Sequence, residues 1–419
     1  MQFSLIFVFC GIIMPLALVI TGIRFGIGLK FFYLLHPIRL IKDILSGKGG
    51  YKSLSLALAG TLGVGNIVGV ASAISVGGVG SVFWMVLSAF VAMGIKYVET
   101  YLAVKHKRWD GEAYMGGAPL YIEKAVNGKN GHVVALIFAF MCVSNSLITG
   151  NLVQINAVSD ILPINKLCFG IIVSALFVAI IINGYNKISS VTAILIPILS
   201  FSYIFLTLYI ILGNVAEIPR ITALIISEAF NIKSAISGVG AYSILTAMRY
   251  GISRGVLSNE AGCGTSPIAH ASSENTPHIQ GCLGIFEVAI DTVILCPLTA
   301  FVLILSGFVT EKSPMYAVFC AFSHFLGEFG GYFVSASCLL FAFATLLSQY
   351  YYGKKSLDYI SKSRIIHTPY VLLFVLTCII APIIPNSTMW IISDINVALL
   401  TVINLLFLNL LFKKRGLLQ

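Results

Sequence analysis

The sequence predicts an all-α polytopic membrane protein with about 11 transmembrane helices, in which one extra N-terminal helix precedes a 5+5 inverted repeat with broken helices 2 and 7. Three observations predict this fold. Of the 419 residues, 58% are hydrophobic and 10% are charged, whereas a soluble domain has about 25% charged residues. Apolar runs long enough to cross a bilayer follow one another with basic loops between them, and two of the runs are interrupted by glycine.

Ten apolar runs, bounded by charge, Pro or Gly, have about the 20 residues that a membrane-spanning helix needs. They cover residues 3–24, 53–77, 81–104, 132–159, 167–184, 188–213, 279–307, 331–352, 366–385 and 390–412. The first run has no basic region before it and no A-x-A site, so we interpret it as a span and not as a signal peptide. We expect one transmembrane domain over 1–419, with the extra helix at 3–24 and five-helix repeats at 53–213 and 234–412.

An eleventh span at 234–270 is predicted from loop charges, because hydropathy alone rejects its basic second half. With the N-terminus outside and this segment crossing, 19 Lys and Arg residues lie in cytoplasmic loops or the C-terminal tail. The four outside are Lys166, Arg220, Lys233 and Lys312. If the segment did not cross, every later loop would invert and this asymmetry would largely disappear. The positive-inside rule therefore predicts a multi-pass protein of the cell (inner or plasma) membrane with a cytoplasmic C-terminus.

The net charge of +10 does not indicate a nucleic-acid partner, because the 26 Lys and Arg residues lie between apolar runs and form no single patch. The nine cysteines include no CxxC pair and lie mostly in apolar stretches, which is typical of small core residues. His270 and Glu274 lack a third ligand at a useful spacing, which argues against a metal site there. We expect no cofactor and no obligate protein partner, and we expect the spans to contact the lipid bilayer.

Numbered in chain order with 234–270 included, spans two (53–77) and seven (234–270) are interrupted by glycine at membrane depth. Span two contains ALAGTLGVGNIVGVASAISVGG, with glycines on both sides of Asn66, and span seven contains Gly238 and Gly240. The two spans cross in opposite directions, and such a pair indicates an inverted repeat with the substrate site between its halves. Close helix packing through Gly65 and Gly69 is the alternative. Asn66 favours a site, because a buried amide needs partners and broken backbone in a bilayer lines a cavity or is buried in protein.

Four long blocks resemble the alanine or glycine:cation symporter family, and they occur in the family's order. The blocks are LAGTLGVGNIVGVASAISVGGVGSVFWMVLSAFVAMGIKYVETYLAVKHK (58–107), GNLVQIN (150–156), RYGISRGVLSNEAGCGTSPIAHAS (249–272) and FAFATLLSQYYYGKKSLDYI (341–360). The resemblance covers most of the chain from about residue 52 onward. It implies sodium-coupled uptake of small neutral amino acids through the five-plus-five fold of the leucine transporter, which is a standard example of broken transporter helices.

The resemblance also implies which residues form the site. TLGVGN (61–66) matches the unwound segment of the first core helix, whose backbone N–H groups and helix-end dipoles would hold the substrate carboxylate. The carbonyls of Ala59 and Leu62 and the hydroxyl of Thr345 would bind sodium, with Asn66 on a second ion or on the substrate. The implied substrate-binding residues are Thr61, Gly63, Gly65, Asn66, Asn151, Gln154, Gly238, Gly240, Thr345 and Gln349.

Two positions depart from the family pattern. Ala344 precedes Thr345 where Ser or Thr is expected, so one hydroxyl is missing from the implied sodium site. Gln349 occupies a position where many members carry Trp. A Gln in place of a ring would enlarge the pocket and offer hydrogen bonds to a polar side chain such as that of glutamine. Sodium coupling and substrate size are therefore the two properties that these departures affect.

Charged residues within the spans form a second group of candidates. Glu287 and Asp291 are spaced i,i+4 and so share a helix face. They would act as a cation or proton relay, or they would pair with Arg249 and Arg254 as an inner gate. We favour the pairing, because charges in a bilayer usually find partners. The expected gating residues are Arg249, Arg254, Asn259, Glu260, Glu287 and Asp291.

The leading functional hypothesis is a secondary active transporter that imports alanine, glycine or a related small neutral amino acid with sodium by alternating access. A proton-coupled or glutamine-preferring transporter and a transport-dead amino-acid sensor are the alternatives. The chain has no Gly-x-Ser-x-Gly or His-Glu-x-x-His motif, so we expect no enzyme activity. Nothing in it resembles a repeated selectivity filter, which argues against a channel.

Overall fold

The described part of the chain is almost entirely helical. The computed structural model describes residues 8–47, 49–111, 114–126, 128–159, 164–230, 239–309 and 313–414. The helices are α1 (Phe9–Gly28), α2 (Phe32–Leu35), α3 (Pro37–Leu45), α4 (Tyr51–Thr61), α5 (Val68–Gly77), α6 (Ser81–Lys105), α7 (Ala118–Ala125), α8 (Lys129–Ser159), α9 (Lys166–Ile181), α10 (Gly184–Gly213), α11 (Ile218–Ala229), α12 (Val239–Asn259), α13 (Pro267–His270), α14 (Pro277–Ser306), α15 (Pro314–Ile360), α16 (Arg364–Ile380) and α17 (Asn386–Lys414).

Shorter elements lie between and within these helices. Turns of 3-10 helix are found at Val64–Asn66, Val215–Glu217 and Ala381–Ile383. π-Helical turns are found at Phe9–Ile13 in α1, Ile148–Leu152 in α8 and Ala289–Leu295 in α14. A small antiparallel hairpin of β1 (Arg108–Trp109) and β2 (Tyr114–Met115) follows α6.

Eight of the described helices are long and apolar enough to cross a membrane, namely α1, α6, α8, α10, α14, α15, α16 and α17. This agrees with the predicted all-α, multi-pass membrane protein. The apolar helices α5 and α9 are shorter. α5 is short because span two is divided into α4 and α5, and α9 has 16 residues. The count of about 11 spans, the inverted repeat and its boundaries stay predictions.

The predicted span seven is not one continuous helix. α12 ends at Asn259, and Glu260, Gly262 and Gly264 then adopt left-handed φ values of 51°, 86° and 77°. Glycine takes such values without a steric penalty, so the chain turns here and α13 follows within the second half of the predicted span. Gly238 lies outside the described residues, whereas Gly240 lies in the helical backbone of α12.

The ninth predicted span, at 331–352, belongs to a longer helical segment. α15 begins at Pro314 and is kinked at Gly327, whose φ and ψ are 63° and −157°. The kink divides this segment in two, and the part that follows Gly327 begins close to the predicted start of the span at residue 331. The sequence-based spans also omit α3 and α11, which are short helices between predicted spans.

The packing centres on two long helices. α6 lies along α12 and α14, and α15 lies along α8 and α4. The N-terminal helix α1 packs on α6 and α17. There a side chain at Gly22 would come within 2.2 Å of Val91 Cγ1, so glycine is needed for the close approach of α1 to α6. The break between α4 and α5 is enclosed by the helices around it, since every residue from Leu56 to Val70 is buried.

Candidate substrate and ion site

The break in span two places main-chain polar groups without regular helical hydrogen bonds inside the helix bundle. α4 ends at Thr61, Gly63 is extended with φ −126° and ψ −152°, and α5 begins at Val68 after a single 3-10 turn. Residues 63–67 therefore lack regular α-helical hydrogen bonding, whereas the Leu62 N–H still donates to the Leu58 carbonyl in the last turn of α4. In a bilayer such groups must be satisfied by protein, by water or by a ligand. The structure thus has the break that the glycine pattern predicts.

A cavity adjoins this break. It is small: about 10 Å³ is open to the centre of a water-sized sphere, which is room for about one water molecule. The residues that line it are Gly60, Thr61, Val64, Gly65, Thr149, Val153, Gln154, Leu257, Glu260 and Trp390. Three implied substrate-binding residues, Thr61, Gly65 and Gln154, are therefore at the cavity wall.

Gln154 holds the unwound backbone. Its Oε1 accepts a hydrogen bond from the Val64 N–H at 3.0 Å, and its Nε2 donates to the Thr149 carbonyl at 3.3 Å. A Cβ at Gly63 would lie 2.6 Å from Gln154 Oε1 and 2.6 Å from Thr345 Oγ1. Gly63 is thus required for close approach, and it brings Gln154 and Thr345 to the same turn of backbone.

Two implied substrate-binding amides point elsewhere. Asn151 donates to the Phe374 carbonyl at 2.8 Å and to Thr377 Oγ1 at 2.7 Å, both on α16. Asn151 lies in the π-helical turn Ile148–Leu152, whose wider register rotates it away from the cavity that Gln154 lines. Asn66 does not line the cavity either, because its Nδ2 donates to Asp291 Oδ1 at 2.8 Å.

Two oxygens of the implied sodium site lie together. Thr345 Oγ1 is 3.4 Å from the Leu62 carbonyl and 3.0 Å from the Phe341 carbonyl. Sodium has nearly the radius of calcium, and oxygen ligands about 2.4 Å from such a cation at right angles lie about 3.4 Å apart. Ala59 is buried one turn before Leu62. Ala344 is also buried and adds only a methyl group, so this set has one hydroxyl fewer than the family pattern implies.

Glu260 brings a carboxylate to the cavity, although the sequence suggested a gate. Its Oε1 accepts from Gln349 Nε2 at 2.6 Å, and its Oε2 accepts from Thr265 Oγ1 at 2.6 Å. Gln349 Nε2 also lies 3.4 Å from the Gly60 carbonyl. Gln349 is thus one contact away from the cavity, where it orients Glu260 instead of forming the wall itself.

Asp291 lies on the far side of the break from Gln154. Besides Asn66, it accepts hydrogen bonds from Ser258 Oγ at 3.1 Å and Thr292 Oγ1 at 2.5 Å. Asn259 donates to Thr292 Oγ1 at 2.9 Å. The carboxylate is fully buried, and no cationic side chain among the described residues forms an ion pair with it. The oxygen of the Asn66 amide is also buried without a described partner.

A second buried charge cluster surrounds Lys96, which sequence reasoning left unassigned. Its Nζ lies 2.6 Å from Ser266 Oγ, 3.4 Å from Glu287 Oε1 and 3.8 Å from Glu99 Oε1. His270 Nε2 lies 3.0 Å from Glu287 Oε2. These side chains are fully buried and join α6, α13 and α14. A lysine inside a predicted span could have been identified from the sequence as part of a buried ion pair, since a charge at that depth needs a partner.

The expected pairing of the intramembrane carboxylates with arginine is wrong for Arg254. Arg254 pairs with Asp394 of α17 at 2.8 Å, whereas Glu287 pairs with Lys96. The reason is helix rotation: Arg254 faces α17, and Glu287 faces α6. Arg249 lies against Gly11 of α1. The gating role suggested for Arg249, Arg254, Asn259, Glu260, Glu287 and Asp291 stays a prediction.

Six residues of the cavity wall were not predicted as site residues, namely Gly60, Val64, Thr149, Val153, Leu257 and Trp390. Thr149 accepts from Gln154 through its carbonyl, and its hydroxyl lies 3.0 Å from Ser393 Oγ. Trp390 also lies under the Arg254 guanidinium, 4.6 Å from it. Trp390 is one of only three tryptophans in the chain, and this rarity was the one sequence feature that could have singled it out. Its position at the cavity depends on how α17 packs.

Comparison with known proteins identifies the family of the chain. The model of the sodium:alanine symporter family matches residues 4–416. The chain is 34% identical to the sodium/alanine symporter AgcS of Methanococcus maripaludis, over 86% of this chain and 81% of that protein. It is 32% identical to the putative sodium/proton-dependent alanine carrier protein YrbD of Bacillus subtilis, over 84% and 77%. It is 28% identical to the probable sodium/glutamine symporter GlnT of Bacillus subtilis, over 94% and 85%. The chain belongs to the sodium:alanine symporter family.

Proposed function

We propose that this protein imports a small neutral amino acid, alanine or glycine, together with sodium by alternating access. The observation that carries the proposal is the convergence of Gly63, Gln154 and Thr345 on unwound backbone beside a cavity. Family membership and the named function of the archaeal relative support alanine as the substrate.

Each part of an amino-acid zwitterion has a complementary group at the cavity. The carboxylate would bind near the Gly65 N–H, at the N-terminal end of α5, where the helix dipole favours negative charge. The ammonium group would bind near Glu260, which is the one charged residue among the described lining residues. A carboxylate that already accepts two hydrogen bonds keeps further lone pairs for this contact. Val153 and Leu257 would face the substrate side chain.

The coupling ion would bind beneath the substrate. Leu62 and Thr345 provide two hard oxygen ligands at a suitable separation, and the Ala59 carbonyl would be a third. Because Leu62 belongs to the same unwound segment as Gly65, a bound cation would hold the segment in the shape that the substrate needs. Substrate and ion then stabilise the same conformation, which is the requirement for symport.

Proton coupling is the second candidate, and Asp291 is the observation that favours it. Glu287 already has Lys96 and His270 beside it, whereas Asp291 has only neutral donors among the described residues. A buried carboxylate without a cation is costly when it is charged, so it would take up a proton or a metal cation. Asp291 is therefore the carrier that a proton-coupled mechanism would use.

The test is uptake of labelled alanine into proteoliposomes that contain the purified protein. We expect accumulation with an inward sodium gradient and none when choline replaces sodium at constant pH. Uptake that persists in choline and follows an imposed pH gradient would reject sodium in favour of a proton. Ligand binding without accumulation under any gradient would reject transport in favour of a sensor. Competition by each neutral amino acid, with both stereoisomers, would identify the substrate.

A further inference from the structure

Three side chains that commonly bind metal ions converge at the end of α14 nearest the loop 24–52, on the predicted cytoplasmic side. Asp43 lies on α3, and His278 and Cys282 lie one turn apart on α14. His278 Nε2 is 3.1 Å from Asp43 Oδ2 and 3.8 Å from Cys282 Sγ. None of these residues lines the cavity between α4, α8 and α12. Their convergence is not explained by the proposed transport site.

The three ligand atoms have the spacing of a metal site. All lie within 4.8 Å of one another. A triangle with these two measured sides and a third side up to that limit has a central point no more than about 2.4 Å from each corner, close to zinc–ligand bond lengths of about 2.0–2.3 Å. A metal ion could therefore contact all three atoms with only small side-chain movements.

Tyr97 orients the histidine of this cluster. Its hydroxyl lies 2.7 Å from His278 Nδ1, on the ring nitrogen opposite to the one that faces Asp43 and Cys282. Metal-binding histidines are usually held by a hydrogen bond at the other nitrogen. When the Tyr97 oxygen accepts from Nδ1–H, the Nε2 lone pair is directed at the position between the other two ligand atoms. Arg39, 3.9 Å from the same Asp43 oxygen, is largely exposed and free to move toward solvent.

We propose that Asp43, His278 and Cys282 bind one zinc-class transition-metal ion, with water as the fourth ligand. The donor set contains one oxygen, one nitrogen and one sulfur atom, which suits zinc and excludes magnesium and calcium, since these require oxygen ligands. Binding releases the proton of the Cys282 thiol. The thiolate and the carboxylate then neutralise the two positive charges of the ion. Three protein ligands and one open position make an exchangeable site that fastens α3 to α14.

The test uses cobalt as a spectroscopic substitute for zinc in the purified, full-length protein. We expect one cobalt per chain, with a near-ultraviolet thiolate-to-cobalt absorption band that added zinc removes. Cys282→Ser should abolish the band. His278→Ala and Asp43→Asn change partly exposed side chains and should weaken cobalt binding while the protein still elutes as a single species. Tyr97→Phe should weaken it by about 10–100-fold.

Cys168→Ser is the matched control, because Cys168 is an exposed cysteine away from the cluster. This variant should keep the band. The proposal is overturned if the wild-type protein gives no band, if the band survives both Cys282→Ser and His278→Ala, or if Cys168→Ser removes it.

A bound ion would also restrain the broken span two, because α3 precedes α4 in the chain. This consequence rests on the proposed transport function, whereas the cobalt spectra do not. We expect zinc on the predicted cytoplasmic side to slow alanine uptake by the wild-type protein and to leave uptake by His278→Ala unchanged. Equal zinc sensitivity of the two proteins would overturn the restraint, and a positive cobalt spectrum with no alanine uptake would instead refute the proposed substrate.

Discussion

Replacement of Gln154 by Ala tests the proposed site most directly. Gln154 is buried and makes two hydrogen bonds, one from the Val64 N–H at 3.0 Å and one to the Thr149 carbonyl at 3.3 Å. The Ala variant keeps the helix and removes both contacts. The unwound backbone then loses its main side-chain support on the α8 side, so the turn that would bind substrate and sodium is no longer held in one shape.

The size of the effect follows from the unpaired N–H group. A buried polar group that loses its partner costs about 1–3 kcal/mol. At about 1.4 kcal/mol for each factor of ten, this corresponds to a fall of about 5- to 150-fold in kcat/KM for alanine. Water entering the space left by the side chain would place the loss near the lower limit, since it would satisfy the N–H group in part.

The assay is the initial rate of alanine uptake in proteoliposomes, normalised to the amount of incorporated protein. Asn183→Ala is the matched control, because it removes an exposed side-chain amide in the turn between α9 and α10. Gln154→Glu keeps an oxygen that accepts from Val64 but adds negative charge near the proposed carboxylate position, so its uptake should stay low. Uptake by Gln154→Ala within about twofold of wild type, less than 0.5 kcal/mol, would refute the proposed role of Gln154.

Three further substitutions separate the parts of the site. Thr345→Val keeps the shape of the side chain but removes the hydroxyl beside the Leu62 carbonyl, so half-maximal uptake should need about tenfold more sodium. Thr345→Ser keeps a hydroxyl and should stay near wild type, and equal sodium dependence of the two variants would contradict the ion site. Asp291→Asn should leave sodium dependence intact and abolish any pH-gradient-driven uptake, and a proton-driven rate unchanged from wild type would exclude Asp291 as the carrier. Gln349→Trp places a ring against Gly150, where space is so limited that a Cβ on Gly150 would lie 2.3 Å from the Gln349 side chain. In competition assays this variant should favour the smallest substrates, and an unchanged substrate ranking would contradict the argument that Gln349 enlarges the pocket.

The break in span two could be predicted because its causes are local. Gly60, Gly63 and Gly65 weaken the helix in the sequence itself, and the structure has its irregular backbone at residues 62–67. Gln154 was implied by a motif block, and it does contact this backbone. Local signals and motif matches therefore identified both sides of the central contact.

The orientation of neighbouring side chains could not be predicted in the same way. Asn151 turns toward α16 because a π-helical turn changes the register of α8. Sequence reasoning that assumes a regular α-helical period cannot predict such a turn. Lys96 and Glu287 are far apart in sequence, so their contact depends on how α6 packs against α14. For the same reason Arg254 pairs with Asp394, a residue that the sequence placed in an ordinary apolar span.

The buried charges give a physical reason for coupling transport to a cation. Of the charged side chains that the structure describes as buried, two are cationic, Lys96 and Arg254. The four acidic ones are Glu99, Glu260, Glu287 and Asp291. Arg254 is paired with Asp394, which leaves Lys96, together with His270 when its ring is protonated, to balance four carboxylates. An unpaired carboxylate is costly to bury, so each proton or metal cation that binds stabilises this interior. An ion that enters down its gradient would therefore favour the conformation that binds it, and the same conformation would bind the substrate.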